Sequence, residues 1–242
     1  MQPKWTRQAA VVGLAFVLLV LLTGSAWTHY QATRAQFQLG DAARWLREAV
    51  IVVDPGHGGD DPGGVVQGTL EKGIVLEIGK ALQQVLEANG ARVVMTRSTD
   101  VNLGGRIRVE LGRRVALVDQ HRAHVYVSIH ANKDRCNCWG AQTFYQRDGK
   151  PEGKLLAQAI QDELRRLTPT TRVPLSADYF VLRNSPVPAA MVEVGFLTNA
   201  QEMARLKDPG YQRTLATAIA LGVSEFFRSQ IPDARAGGSI GK

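Results

Sequence analysis

The sequence predicts an α/β protein: a single three-layer domain whose central, mostly parallel or mixed sheet is flanked by helices. Three observations carry this. Short apolar, β-branched runs alternate with segments of helical periodicity over about 180 residues, and a sheet built that way is buried only when helices cover its faces. A composition that is 45% hydrophobic and 21% charged suits a real core and argues against disorder. Two cysteines in 242 residues cannot make a disulfide scaffold, and no internal repeat is visible.

Residues 49–53 are the first strand, a β-branched run that ends in Asp54-Pro55-Gly56 and enters a glycine-rich loop. Residues 70–89 carry Ile74, Val75, Ile78, Leu82, Val85 and Leu86 at spacings of three and four, with Gly90 as a C-terminal stop. That is a helix. Residues 92–96 give a second strand, 106–120 a second helix, and 125–129 a third strand that delivers His130. A strand follows at 142–146, then a helix at 155–167 closed by Thr168-Pro169, strands at 179–182 and 189–194, and an amphipathic helix at 211–227.

The first residues are a separate object. Lys4 and Arg7 precede the uninterrupted apolar run 9–22, the layout of a secretory n-region and h-region. The uncharged stretch continues through Trp27, about 28 Å as a helix and close to the hydrocarbon thickness of a bilayer. Residues 1–27 therefore read as a signal peptide cut near Gly24 and Ala26, or as a retained anchor, the reading their length favours. Either way the chain is exported, to the outer face of the membrane or the cell wall. Residues 28–48 read as a polar, partly helical linker, 49–228 as the domain, and 229–242 as a disordered tail. The net charge of +7 is spread without basic runs or interleaved aromatics, so nucleic acid is excluded as a partner. A monomer is expected.

The chemically interesting residues fall where loops leave the carboxyl ends of strands, the place where such sheets bind ligands. His57 stands in Asp54-Pro55-Gly56-His57-Gly58-Gly59, Glu71 begins the next helix, His130 ends the third strand, and Glu193 lies in the last. Taken alone, His57 reads as a turn residue and Glu71 as a helix N-terminal carboxylate. Glu193 resists so plain a reading, because an unpartnered carboxylate in a Val-rich strand is costly. Together, two imidazoles and two carboxylates at one sheet edge suit catalytic zinc, which takes three protein ligands and keeps an open position. The remaining carboxylate is then free to act as general base. His29, His121 and His124 lie in polar segments and read as surface residues.

These motifs, with Glu71-Lys72, Ser128-Ile129-His130-Ala131-Asn132 and Val192-Glu193-Val194-Gly195-Phe196-Leu197-Thr198-Asn199, occur in an order that resembles the zinc-dependent N-acetylmuramoyl-L-alanine amidases of bacterial cell walls, over roughly residues 50–228. The resemblance implies Zn2+ held by His57, Glu71 and His130, catalysis by Glu193, and peptidoglycan as substrate. It makes Arg183, which matches a basic position of the family, and Asn132 the substrate-binding candidates. Gly140-Ala141-Gln142-Thr143-Phe144-Tyr145 is further similar to the germination-specific subgroup acting on spore cortex. Some relatives carry an inserted helix that plugs the metal site. Here the 62 residues from Ala131 to Val192 are consumed by ordinary elements, so an open groove is expected. The alternatives are a zinc peptidase cutting within stem peptides and a non-catalytic wall-binding module. Cys136 and Cys138 are too close for an unstrained ring and are expected as free thiols.

Overall fold

The computed structural model describes residues 39–134 and 138–230. The expected signal or anchor at 1–27, the linker as far as residue 38, Cys136 and the tail from 231 lie outside the described residues. Among the described residues no helix is long and apolar enough to cross a membrane.

The described residues form eight strands: β1 (Val50–Pro55), β2 (Val65–Val66), β3 (Thr69–Leu70), β4 (Arg92–Met95), β5 (Val125–Asn132), β6 (Gln142–Gln146), β7 (Leu175–Ala177) and β8 (Ala189–Phe196). The helices are α1 (Glu71–Ala88), α2 (Ile107–His121), α3 (Pro151–Leu167), α4 (Phe180–Asn184), α5 (Ala200–Leu206) and α6 (Pro209–Ser229). The main sheet runs β4-β1-β5-β8-β6-β7, and β2 with β3 forms a small separate hairpin. Strands β4, β1, β5 and β8 are parallel, β6 is antiparallel to β8, and β7 is parallel to β6. The expected mostly parallel, mixed sheet with helices on both faces is what forms.

Alternate residues of β1, β5 and β8 face opposite helical layers, as a period of two requires. Val52, Tyr126, Ala189 and Met191 pack with Val115 and Val118 of α2 and with Val181 and Leu182 of α4 in one buried cluster. Helices α1, α3 and α6 pack together and cover the other face. Local chemistry sets several boundaries. Proline opens α3 and α6, Asn199 caps α5 by accepting from the backbone of Gln201 and Glu202, and Asp208 caps α6 by accepting from Tyr211 N.

Three expectations change. Residues 179–182 are not a strand: α4 begins at Phe180, Arg183 N donates to Tyr179 O, and Asn184 Nδ2 donates to Phe180 O. A four-residue apolar run cannot declare its own period, and packing of Val181 and Leu182 on α2 decides it. The second half of the segment read as a linker packs on the domain through a 3-10 turn at Gly40–Trp45. There Leu46 is fully buried, Leu39 N donates to Asn89 Oδ1, and Ser224 Oγ donates to Ala42 O. The free thiol expected at Cys138 is absent, because Cys138 is disulfide-bonded.

Candidate metal centre and active site

Strand order reverses around β1: the chain goes from β1 outward to β4, then returns to place β5 on the opposite side of β1. The crevice opened by such a reversal lies at the carboxyl ends of the two strands. His57 follows β1, Glu71 opens the helix after β1, and His130 stands near the end of β5. Glu193 of β8 is the register partner of His130.

The structure brings the first three into contact. Glu71 Oε1 lies 3.1 Å from His57 Nε2 and 3.0 Å from His130 Nδ1, and one ligand atom from each residue falls within a common 4.8 Å. The imidazole rings meet edge to face, their centroids 4.8 Å apart. Each ligand is itself held. His57 Nδ1 meets Asp61 Oδ2 at 2.7 Å, which leaves Nε2 to face the cluster, the carboxylate support usual for a metal-binding imidazole. Asp61 is aimed by a pair of main-chain bonds between its own backbone and Gly58. Glu71 accepts from Gly64 N at Oε2 and from Ala131 N at Oε1.

Two glycines make room. A Cβ on Gly56 would lie 2.3 Å from the His130 ring, and one on Gly63 would lie 2.6 Å from His57 and 2.7 Å from Glu71 Oε2. Gly63 also has φ +66°, a conformation side chains disfavour. His57 itself has φ +62°, uncommon for a residue with a side chain and characteristic of functional positions.

The carboxylates set the charge of the cluster. Burial pushes the His57 imidazole down, but the Glu71 and Asp61 carboxylates outweigh it and hold its pKa up to about 9. Burial raises the Glu71 carboxyl, yet its bonds to His130 and His57 and their charges bring it well below the usual carboxylate range. Two imidazole nitrogens and one ionised carboxylate oxygen, gathered at short range with side chains about 22% and 21% exposed at the two imidazoles, are a donor set for a divalent cation with an open side. Glu193 stands apart in character. Its Oε2 is buried and has no hydrogen-bond partner among the described residues. Burial raises its pKa to about 7, a rise that the nearby His130 and His57 reduce and Glu71 reinforces.

His57, His130 and Glu193 border one cavity of about 240 Å³, walled by Ile107 and Leu111 of α2, by Tyr179, Phe180 and Val181, and by Met191. A larger cavity of about 640 Å³, around Trp139 and Arg205, holds none of the four. Between Ala131 and Val192 the described residues form only β6, α3, β7 and α4. The substrate-binding candidates are not gathered in. Arg183 pairs with the exposed Asp178 and borders a different cavity, beside Gln146 and Pro188. The Asn132 carboxamide accepts from Asp134 N, closing the turn after β5.

Sequence reasoning missed Asp54, Asp61, Arg97 and Arg114. Asp54 is buried at the end of β1 and accepts from Thr96 Oγ1, Arg114 Nη1, Tyr126 Oη and Ser128 Oγ. The signal was present. A carboxylate closing a Val-rich strand needs partners for the same reason that Glu193 does.

An imidazole–carboxylate–imidazole cluster that could hold a metal ion lies beside a carboxylate with an unpartnered oxygen, on the switch point of an α/β sheet, the arrangement of a hydrolase site. The chain belongs to the N-acetylmuramoyl-L-alanine amidase family Amidase_3, whose pattern matches residues 51–225. It is 39% identical over 194 residues to the germination-specific N-acetylmuramoyl-L-alanine amidase of Bacillus subtilis, covering 75% of this chain and 81% of that one. Among solved structures it resembles the CwlD amidase of Clostridioides difficile, determined in complex with the GerS lipoprotein. That match has TM-score 0.71 and 32% identity and covers 75% of this chain and all of the other. The catalytic domain of CwlV, an N-acetylmuramoyl-L-alanine amidase of Paenibacillus polymyxa, aligns with TM-score 0.68 and 34% identity, over 74% of this chain and 98% of that domain.

Proposed function

We propose that this chain hydrolyses the amide between the lactyl group of N-acetylmuramic acid and the L-alanine of the stem peptide in peptidoglycan, with zinc held by His57, Glu71 and His130. The observation that carries the reading is the three-residue cluster, whose His57 and His130 share one cavity with Glu193 and its buried Oε2, which has no hydrogen-bond partner among the described residues. A zinc ion held by His57, Glu71 and His130 would supply Lewis acidity toward the scissile carbonyl and the attacking water.

The protein's own residues do the rest. Asp61 keeps His57 with its proton on Nδ1 and its lone pair on Nε2. Glu71 contributes the charge that balances the cation. Glu193, with a pKa near 7, is matched to take a proton from the attacking water and pass it to the leaving amine. The apolar wall from Ile107 to Met191 lowers the local dielectric in which that transfer occurs. Residues 1–27 would carry the chain out of the cytoplasm and hold it near its substrate. Similarity to the germination-specific amidase supports spore cortex as the peptidoglycan concerned.

The deciding experiment is product analysis on purified peptidoglycan with and without a chelator. New L-alanine amino termini that disappear with chelation are expected. New termini at other stem-peptide residues would make the chain a zinc peptidase, and no products from any wall substrate would favour a binding module.

A further inference from the structure

Two buried guanidiniums close over the loop that carries His57. Arg97 donates from Nε to Pro55 O at 2.9 Å and from Nη2 to Gly56 O at 2.7 Å and Lys72 O at 2.8 Å, with Nη1 on Thr99 O at 3.2 Å. Arg114 donates from Nη1 to Pro55 O at 2.9 Å and from Nη2 to His57 O at 2.6 Å. Its remaining hydrogens go to Asp54 Oδ1 at 2.7 Å and, from Nε and Nη2, to Glu110 Oε1 at 2.7 and 2.6 Å. All five N–H groups of Arg114 are thereby used. Three consecutive carbonyls, those of Pro55, Gly56 and His57, are turned toward arginines from two different elements.

A run of carbonyls converging on a cation is not a conformation that His57 would choose. Its left-handed backbone is disfavoured for any residue with a Cβ and persists only where its surroundings determine it. Main-chain bonds of Gly56 to Ile129 and of Gly58 to Asp61 hold the residues on either side, and the carbonyl of His57 itself is bound by the Arg114 guanidinium. Asp54 and Glu110, both buried, hold Arg114 from the opposite side. The fork geometry of arginine matters, because an ammonium has three hydrogens and one point of attachment.

We infer that Arg97 and Arg114 are positioning residues for the metal centre: by binding the carbonyls of Pro55, Gly56 and His57 they hold His57 in its left-handed conformation, so that Nε2 faces Glu71 and His130. Neither touches the ligand atoms. The inference rests on the zinc-site reading above and goes beyond it by assigning the conformation of one ligand to two residues of the preceding sheet edge and α2. Losing either clamp lets the loop relax toward an ordinary backbone conformation, turning the His57 ring away and leaving a site with two ligands in place of three.

The test is zinc affinity of the full chain, measured by competition with a chromophoric chelator, together with the d–d absorption of the Co2+-loaded chain. Arg114→Lys is expected to fold and to bind zinc at least tenfold more weakly than wild type, within the 10- to 100-fold range of lost outer-sphere support, with an altered Co2+ spectrum. Arg97→Lys, which leaves the Asp54–Arg114 pair intact, is expected to do the same and decides the matter if Arg114→Lys does not fold. Leu164→Ala, a buried change on α3 that borders no part of the cavity, is expected to lower the melting temperature without moving the zinc affinity. If the folded lysine variants bind zinc within twofold of wild type, or Leu164→Ala weakens zinc as much as they do, the clamp is overturned. If the wild-type chain takes up no zinc, the metal reading falls and the clamp falls with it.

Discussion

Glu193→Gln tests the base and its environment in one variant. In the metal-free chain Glu193 sits at a pKa of about 7 against an ordinary 4.5, raised by burial. A carboxyl whose pKa is higher folded than unfolded stabilises the fold below the unfolded value and loses that contribution as pH rises through the folded one. The window is therefore pH 4.5 to about 7, and at about 1.4 kcal/mol per pKa unit the wild type loses about 3 kcal/mol across it. Glutamine does not titrate. Its amide, buried beside the same unpartnered position, adds a fixed cost of about 1–3 kcal/mol at every pH. The stability difference between variant and wild type should therefore move by about 3 kcal/mol in the variant's favour from pH 4.5 to pH 8, or roughly 5–10 °C in melting temperature for a domain of this size. Thermal unfolding in chelator at several pH values measures it. Hydrolysis by the zinc-loaded variant should fall at least about a hundredfold with zinc retained. A pH-independent stability difference would refute the buried, partnerless environment, and near-normal turnover would move the base role to another residue.

His130→Ala should lose stoichiometric zinc by elemental analysis, while Glu71→Gln should retain it only weakly; full zinc in His130→Ala would disprove the ligand set. Because Glu193 must be ionised to accept a proton, turnover should fall as the solution is made acid, and a rate rising toward acid would contradict it. Gly222→Ala would set a methyl 2.3 Å from Ile160 Cα where α6 crosses α3, so it should cost about 1–3 kcal/mol by overpacking in chemical denaturation, with zinc affinity unchanged. A fragment starting at residue 39 should melt higher than one starting at 48, which lacks the buried Leu46; equal melting temperatures would show that the 3-10 turn adds nothing.

Most strands and helices were legible because their apolar residues keep one period over enough length to declare it. The segment 142–146 and helix 70–89 are of this kind, and the structure places them at Gln142–Gln146 and Glu71–Ala88. The failures are short elements. Leu175–Ala177 and Ala200–Leu206 are held by tertiary contacts, with β7 pairing on β6 and Glu202 of α5 accepting from Gly140 N and Phe196 N. At the site, His57, His130 and Glu193 could be read because each sits beyond or within a recognisable strand, and Glu71 because it opens a recognisable helix. Arg97 and Arg114 could not, since nothing local distinguishes an arginine that reaches across a sheet edge from one in solvent. Arg183 is a candidate by its match to a basic position of the family, and the structure pairs it with Asp178 beside a different cavity.

The reversal of strand order around β1 has a consequence for how the molecule assembles. His57 and Glu71 are both delivered by β1 and the helix after it, whereas His130 comes from β5, which lies against β1 but is separated from it along the chain by β4 and α2. A chain that has organised only its first β-α-β unit holds two of three ligands, and such a half-site grips a cation poorly. A zinc ion held by these three ligands would thus join late, after the long-range closure that limits folding speed in sheets of this kind. It should slow unfolding far more than it speeds folding, acting as a latch on a finished molecule and not as a seed for an unfinished one.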